Sequence, residues 1–529
     1  MAFDIINDVE SCGIMIRKKM KNMKPIDWML ITIVILLPIS LVLHKFKMYD
    51  NDLWYLLSEG RYILHNGVYH IDPLSMHEGL DIVVQNWLSA VIFWIVYSIC
   101  GSKGILATIF ITNIVISYLL YKICMLISDK NKMLSILVTL FADINIVLYY
   151  GVSRPQIFSF VIMLLLIYLL ELYIKKNDTK YLRFIPLLSL LWINLHASLW
   201  LYLVLIMIPY IIDSFKNEKL MLQGYRTKPL VITLVVSILI ALINPYGYKA
   251  MTFIFNSYGD KFMHSCIWEL HPFSFDNMVC INFFGVIALT MLLYLYFRKG
   301  TIRVRYICLY FGTLILGMNT VKAFSHFLIV AIFPLALLLK DIFPREFKKN
   351  TLKREKISNI IMAILTIATI GFTIYIYCHV YEKLDYKNSG AEAVDSIEMF
   401  AKDYPATVYT SFDDGGYISF RGYKPYIDPR AEVYLKKNNH KADIYKEFYT
   451  FESGEIDIDE FTEKYNFDFI FIRKKDRLYK EESINNYFII YDDAETGYKV
   501  YARNNIIDDD VRELIIEEYE KSKKKDEQN

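Results

Sequence analysis

Apolar runs broken by short polar or basic stretches fill the first three-quarters of the chain. They fall near 28–44, 86–100, 105–127, 133–150, 157–174, 184–213, 230–244, 281–297, 306–321, 327–339 and 358–377. Stretches of roughly 17–25 apolar residues match the thickness of a bilayer's hydrocarbon core. The pattern predicts an α-helical polytopic bundle of about eleven spans, with thirteen as the upper alternative. Segment 184–213 is too long for one straight span and is interrupted at Asn194 and His196, while 86–100 is the weakest candidate span.

After residue 378 the pattern shortens. GAEAVDSIEMFAKDY has the period of an amphipathic helix, ATVYTSF and FDFIFIRK those of strands, and YFIIYDD with GYKVYAR that of a closing hairpin. DDGG (413–416) carries hairpin-turn chemistry. Residues 379–510 are thus expected to form a small α/β domain, and 511–529 a charged, fraying tail.

Composition supports this division. The chain has 529 residues, 55% of them hydrophobic and 16% aromatic, with a mean hydropathy of +0.30. That exceeds the apolar share of an average soluble protein. The net charge of +2 matters less than its placement, and no nucleic-acid partner is expected. Basic clusters at Arg17–Lys24, 216–228, 298–305 and 340–356 put those segments in the cytoplasm by the positive-inside rule. Residues 1–27 then form a cytoplasmic N-terminus and the first span an uncleaved anchor. The loop 45–85 and the C-terminal domain lie outside the plasma membrane. One conflict stands: KKNDTKYLR (175–183) falls outside in this count despite its four basic residues. Cys266 and Cys280 could share an outer loop, where two free thiols are favoured over a disulfide.

The candidate chemistry begins where the first span ends, at MYDNDLWYLLSEG. Asp50 and Asp52 precede a short helix with interfacial Trp and Tyr. There they would bind a divalent cation or accept a proton, or simply solvate and cap the helix. Glu59 follows on that helix. Arg154, in SRPQ, and Lys322 suit a phosphate. Asn194, His196, Asn244, Glu269 and His326 are further polar groups within or beside apolar runs, where such groups mark cavities. Each also has a plain structural reading: snorkelling for Arg154, packing for His196, a helix stop for Asn244-Pro245. Asp143 and Asn145 read as helix-packing contacts. Asp428 and Arg430, in KPYIDPRAEVY, read as a structural ion pair across a tight turn.

Taken in order, DND-LWYLLSEGRYIL, DPLS, QNWLS, SRPQIFS, LWINLH, NPYG and YIDPRAEVY span about 45–503. Together they resemble a group of bacterial polytopic membrane proteins related to the GT-C glycosyltransferase superfamily, which includes the dolichyl-phosphate-mannose-type protein mannosyltransferases. The resemblance implies a GT-C-like membrane domain (28–378) and an extracytoplasmic transferase using a polyprenyl-phosphate-linked sugar. It also implies an essential acid in the first outer loop, Asp52 in preference to Asp50, acting as base or cation ligand. Arg154, His196 and Lys322 would face the donor phosphate. The acceptor would be a cell-envelope polymer, a glycolipid or a protein. The chain departs from the better-studied members in lacking acid pairs in later loops, where Glu269 stands alone. Two other classes fit the same residues: a non-catalytic scaffold for envelope assembly, and a lipid or sugar transporter. Inverted repeats of the transporter kind are not visible.

Overall fold

The computed structural model describes residues 24–44, 50–217, 222–257, 260–296, 302–340, 390–401, 404–481 and 483–506, with scattered positions at 360–378 and 513. Most of the basic N-terminus, the loop 341–356 and most of the charged tail lie outside the described residues, as do eight positions of the expected span 358–377.

The first apolar run forms α1 (Pro25–Leu43). The acidic stretch behind it opens α2 (Asp52–Asn66), and an outer loop leads to α3 (Trp87–Ile127). Then follow α4 (Lys132–Tyr150), α5 (Gln156–Lys176), α6 (Ile185–Leu195), α7 (Ala197–Asp213) and α8 (Thr227–Ile240). After them come α9 (Tyr248–Ser257), α10 (Met278–Tyr296), α11 (Val304–Asn319) and α12 (Phe324–Leu339). Among the described residues five helical stretches are individually long and apolar enough to cross a bilayer: Pro25–Leu43, Trp87–Ile127, Gln156–Lys176, Met278–Tyr296 and Val321–Leu339. Shorter apolar helices run beside them.

Two expected boundaries move, and they move together. Residues 86–100 are not a separate span. They form the first part of α3, before a sharp bend at Gly101 (φ 60°) that a side chain would strain. This part lies along α2 and under the C-terminal domain, with the Tyr97 ring 5.6 Å from that of Phe420. Conversely, 184–213 is two helices that reverse at His196 (φ −162°, ψ 81°).

The structure also shows where the basic stretch 175–183 packs. Lys175 donates to the Leu126 carbonyl (2.7 Å) and pairs with Asp129 (3.1 Å), and Lys340 reaches the same Asp129 (3.9 Å). The basic segment therefore lies at the end of the bundle opposite the acidic loop. A buried network ties that end together: Arg305 pairs with Glu171 (3.0 Å) and Asp213 (2.6 Å) and lies over the Tyr306 ring.

The C-terminal domain is a five-stranded sheet in the order β2-β1-β3-β5-β4. Its strands are β1 (Thr407–Thr410), β2 (Lys424–Pro425), β3 (Phe469–Arg473), β4 (Tyr487–Asp493) and β5 (Tyr498–Arg503). β1 runs parallel to β2 and β3, while β5 is antiparallel to β3 and β4. The helices α13 (Ala391–Glu398), α14 (Gly415–Phe420), α15 (Ile444–Glu452) and α16 (Ile458–Tyr465) flank it. The amphipathic helix, both strands and the closing hairpin fall where the pattern puts them. DDGG does not form a hairpin turn. Its glycines open α14, and a Cβ on Gly415 would stand 1.9 Å from the Ile427 carbonyl oxygen. Close backbone approach, not turn geometry, is what requires glycine here.

Asp428 and Arg430 form the expected ion pair (2.6 Å), but it reaches further. Arg430 also binds Asp72 of the outer loop (2.7 Å) and lies 3.7 Å from Glu59 on α2. All four side chains are at most 2% exposed. The network fastens the sheet domain to the loop face of the bundle. Burial pushes the Glu59 carboxyl up to about 8 despite Arg430.

Candidate functional site

The first acidic loop places its carboxylates through local hydrogen bonds. The Asp50 N–H donates to Ser153 Oγ (3.1 Å), and Asp50 Oδ1 accepts from the Asp52 N–H (3.1 Å) at the start of α2. The capping reading is thus correct for Asp50, but both side chains also point to the turn between α4 and α5. There Arg154 collects three acids. Its Nη2 is 3.1 Å from Asp50, its Nε 3.1 Å from Asp52, and its Nη1 bridges both Glu269 oxygens at 2.7 and 2.8 Å. Lys322, ahead of α12, lies 3.6 Å from Glu269.

Asp50, Arg154, Glu269 and Lys322 line a cavity of about 300 Å³ together with Gln156, Tyr150 and Trp268, while Asp52 adjoins it through its contact with Arg154. A second cavity of about 200 Å³ shares Gln156 and Lys322 with it and continues between α7, α9 and α11. Leu199, Tyr202, Leu270 and Leu316 make this second chamber mostly apolar, with His196 and His326 in its wall. His196 Nδ1 is 3.0 Å from Ser159 Oγ, and His326 stacks on Tyr202 at 4.1 Å. An acidic, cation-bearing chamber therefore lies beside a greasy one, with Gln156 and Lys322 common to both walls.

Electrostatics separates the acids. Burial raises the Asp52 carboxyl to about 7, outweighing the opposing pull of Arg154. Burial acts likewise on Glu269, but Arg154 and Lys322 outweigh it and hold that carboxyl down at about 2. Two neighbouring carboxylates with divergent proton affinities are the usual mark of an acid–base site.

The remaining sequence candidates divide. His196 and His326 line the second cavity, whereas Glu59 belongs to the Arg430 network. Asn194 accepts from Trp87 Nε1 (3.0 Å) and donates to the Ile243 carbonyl (3.1 Å), holding the α6 end against α3. Asn244 bonds only within its own turn, with the Ala241 and Gly247 carbonyls and the Tyr246 N–H. Neither asparagine lines the two chambers. Arg154 lines the cavity, yet its Nη1 and Nη2 donate to Glu269 and Asp50, while Nε lies near Asp52 without a hydrogen bond. Cys266 and Cys280 are both free. Sequence reasoning missed Gln156 and Tyr202. The only signal for Gln156 is its position after Arg154-Pro155, and Tyr202 has none.

Among the described residues no group of three His, Cys, Asp or Glu side chains is arranged to hold a metal ion. Asp50, Asp52 and Glu269 supply carboxylate donors, but the guanidinium stands between them.

An acid-bearing chamber thus lies on a bundle of apolar helices capped by a small α/β domain. No family model matches the chain, and no curated protein matches its sequence. Solved structures do match. The oligosaccharyltransferase of Archaeoglobus fulgidus in its apo form superposes with a TM-score of 0.55 at 12% identity, covering 84% of this chain and 69% of that one. The same enzyme tethered to an acceptor peptide containing the NVT sequon gives 0.54 at 14% identity, with 90% and 74% covered. Its complex with Zn and sulfate gives 0.53 at 13%, with 89% and 73% covered. The likeness is one of fold: this chain has the multi-pass GT-C-like fold of an oligosaccharyltransferase.

Proposed function

We propose that the chain is a membrane glycosyltransferase that moves a sugar from a polyprenyl-phosphate-linked donor to an extracytoplasmic acceptor. The observation that carries this reading is the pair of adjoining cavities: an apolar chamber fit for a lipid chain shares Gln156 and Lys322 with a charged chamber fit for its phosphate. The face bearing both, and the sheet domain, would look out of the cell, since the basic ends gather on the opposite face. Lys322, which borders both chambers, is the cation best placed for the donor phosphate, with His196 and His326 beside the lipid.

In this reading the acceptor's nucleophilic oxygen or nitrogen attacks the sugar's anomeric carbon and forms the new bond. The bond from that carbon to the phosphate oxygen breaks, and the phosphate leaves with the electron pair. The acceptor's proton passes to Asp52, whose elevated proton affinity suits a base working near neutral pH. Attack opposite the leaving group inverts the anomeric centre.

Membranes containing the protein, an envelope extract and isotope-labelled undecaprenyl-phosphate sugars test this directly. Label should enter a non-lipid product with the wild type and not with Asp52→Asn. Equal incorporation by both would remove Asp52 from the chemistry, and none by either would remove the reading.

A further inference from the structure

We infer that Arg154 takes the place of a divalent cation in this site, so that the acids before α2 and Glu269 are organised by a guanidinium and the protein binds its lipid phosphate without a metal. The inference rests on reading this cavity as the donor-phosphate site.

The carboxylates arrive from separate parts of the chain: Asp50 and Asp52 from the loop after α1, and Glu269 from the long loop ahead of α10. They share one cation from the turn between α4 and α5. Each carboxylate has an oxygen within 3.1 Å of a guanidinium nitrogen. A hard divalent ion needs such oxygens at roughly 2.0–2.6 Å and free of another cation. A guanidinium keeps its charge at any working pH, so it does not withdraw by deprotonating.

Arg154 is also held in place. Its N–H bonds the Val152 carbonyl (2.8 Å), its own carbonyl accepts from the Ile157 N–H (3.2 Å), and the neighbouring Ser153 binds the Asp50 backbone. Its side chain is only 19% exposed. The charge count agrees: three acids face the two cations Arg154 and Lys322, so the site is close to neutral before anything binds. A metal-binding set would instead present its acids unneutralised.

The test uses the full-length protein in nanodiscs of neutral lipid, with Mn²⁺ as probe followed by electron paramagnetic resonance. Retention of undecaprenyl phosphate is measured in parallel by native mass spectrometry, in Mn²⁺ and in EDTA. The wild type should show no stoichiometric Mn²⁺ site and the same lipid retention in both. Arg154→Ser should gain one Mn²⁺ per chain and lose it again when Asp50→Asn is added. A wild type that binds one Mn²⁺, released by Asp52→Asn, would overturn the inference. So would lipid retention that falls tenfold in EDTA, or an Arg154→Ser protein of unchanged size-exclusion profile that gains no site. If the wild type retains no polyprenyl phosphate under either condition, the donor reading fails, while the Mn²⁺ signal still decides the role of Arg154.

Discussion

Replacing Arg430 by methionine keeps most of the side-chain volume and deletes the charge that fastens the sheet domain to the outer loop. The guanidinium makes a two-pronged contact with Asp428 (2.6 and 3.0 Å) and one with Asp72 (2.7 Å), all essentially without solvent. Removing one partner of a buried pair costs about 3–5 kcal/mol, because the surviving charges are left uncompensated. Here two aspartates are stranded, and protonation of one relieves part of the penalty. About 4 kcal/mol is the expected loss, roughly a 10³-fold shift in the docking equilibrium at 1.36 kcal/mol per decade.

The effect has an address. Asp72 Oδ2 accepts from the Ser75 N–H (3.0 Å), and the Met76 N–H donates to the Pro425 carbonyl (3.1 Å) on β2. Hydrogen exchange in nanodiscs should therefore accelerate at Ser75, Met76 and Tyr426 by at least a hundredfold, while amides within α5 keep their protection. The double variant Asp72→Asn with Arg430→Met should lose less than the sum of the two single changes, as interacting neighbours do. Exchange at those three amides within threefold of the wild type would refute the role given to Arg430.

Three further outcomes follow from the same geometry. With the Asp52 carboxyl raised to about 7, sugar transfer should climb tenfold per pH unit below that value and level off above it; a rate independent of pH between 5 and 8 would count against a base at Asp52. Glu59 has a folded proton affinity near 8 against about 4.5 unfolded. The folded state thus holds the extra proton, and stability falls as pH rises from about 4.5 to 8. Glu59→Gln should then raise the melting temperature at pH 8.5 and change it little at pH 4.5, as thermal unfolding in detergent will show. Gly415→Ala, which drives a Cβ to 1.9 Å from the Ile427 carbonyl, should destabilise the sheet domain by at least about 3 kcal/mol; a melting temperature within 2 °C of the wild type, roughly the span of a few tenths of a kcal/mol, would contradict the close packing.

What the sequence discloses here, and what it hides, follows from the range of each interaction. The break at Asn194 and His196 is visible because two polar residues interrupt one apolar run. That residues 87–100 lie beneath a soluble domain is not, since hydropathy reads the same whether lipid or protein covers a helix. The Asp428–Arg430 pair spans two residues and is plain in YIDPR, while its partner Asp72 lies 358 positions from Arg430. Arg154 is conspicuous as a charge between spans, yet Asp50 and Glu269, at separations of 104 and 115 residues, meet it only in the fold. In DDGG the local turn chemistry points to a hairpin, and a tertiary contact with Ile427 decides otherwise. The acids were legible as chemistry; their common cation was not.

The reading stands most directly on whether the two adjoining chambers hold a polyprenyl phosphate. Native mass spectrometry of the nanodisc-embedded protein, equilibrated with equal amounts of undecaprenyl phosphate and an ordinary phosphatidic acid, makes that measurement. The account predicts retention of the polyprenyl lipid over the phospholipid by the wild type and by Asp52→Asn, with the preference lost in Lys322→Ala. Equal retention of both lipids by the wild type would contradict it.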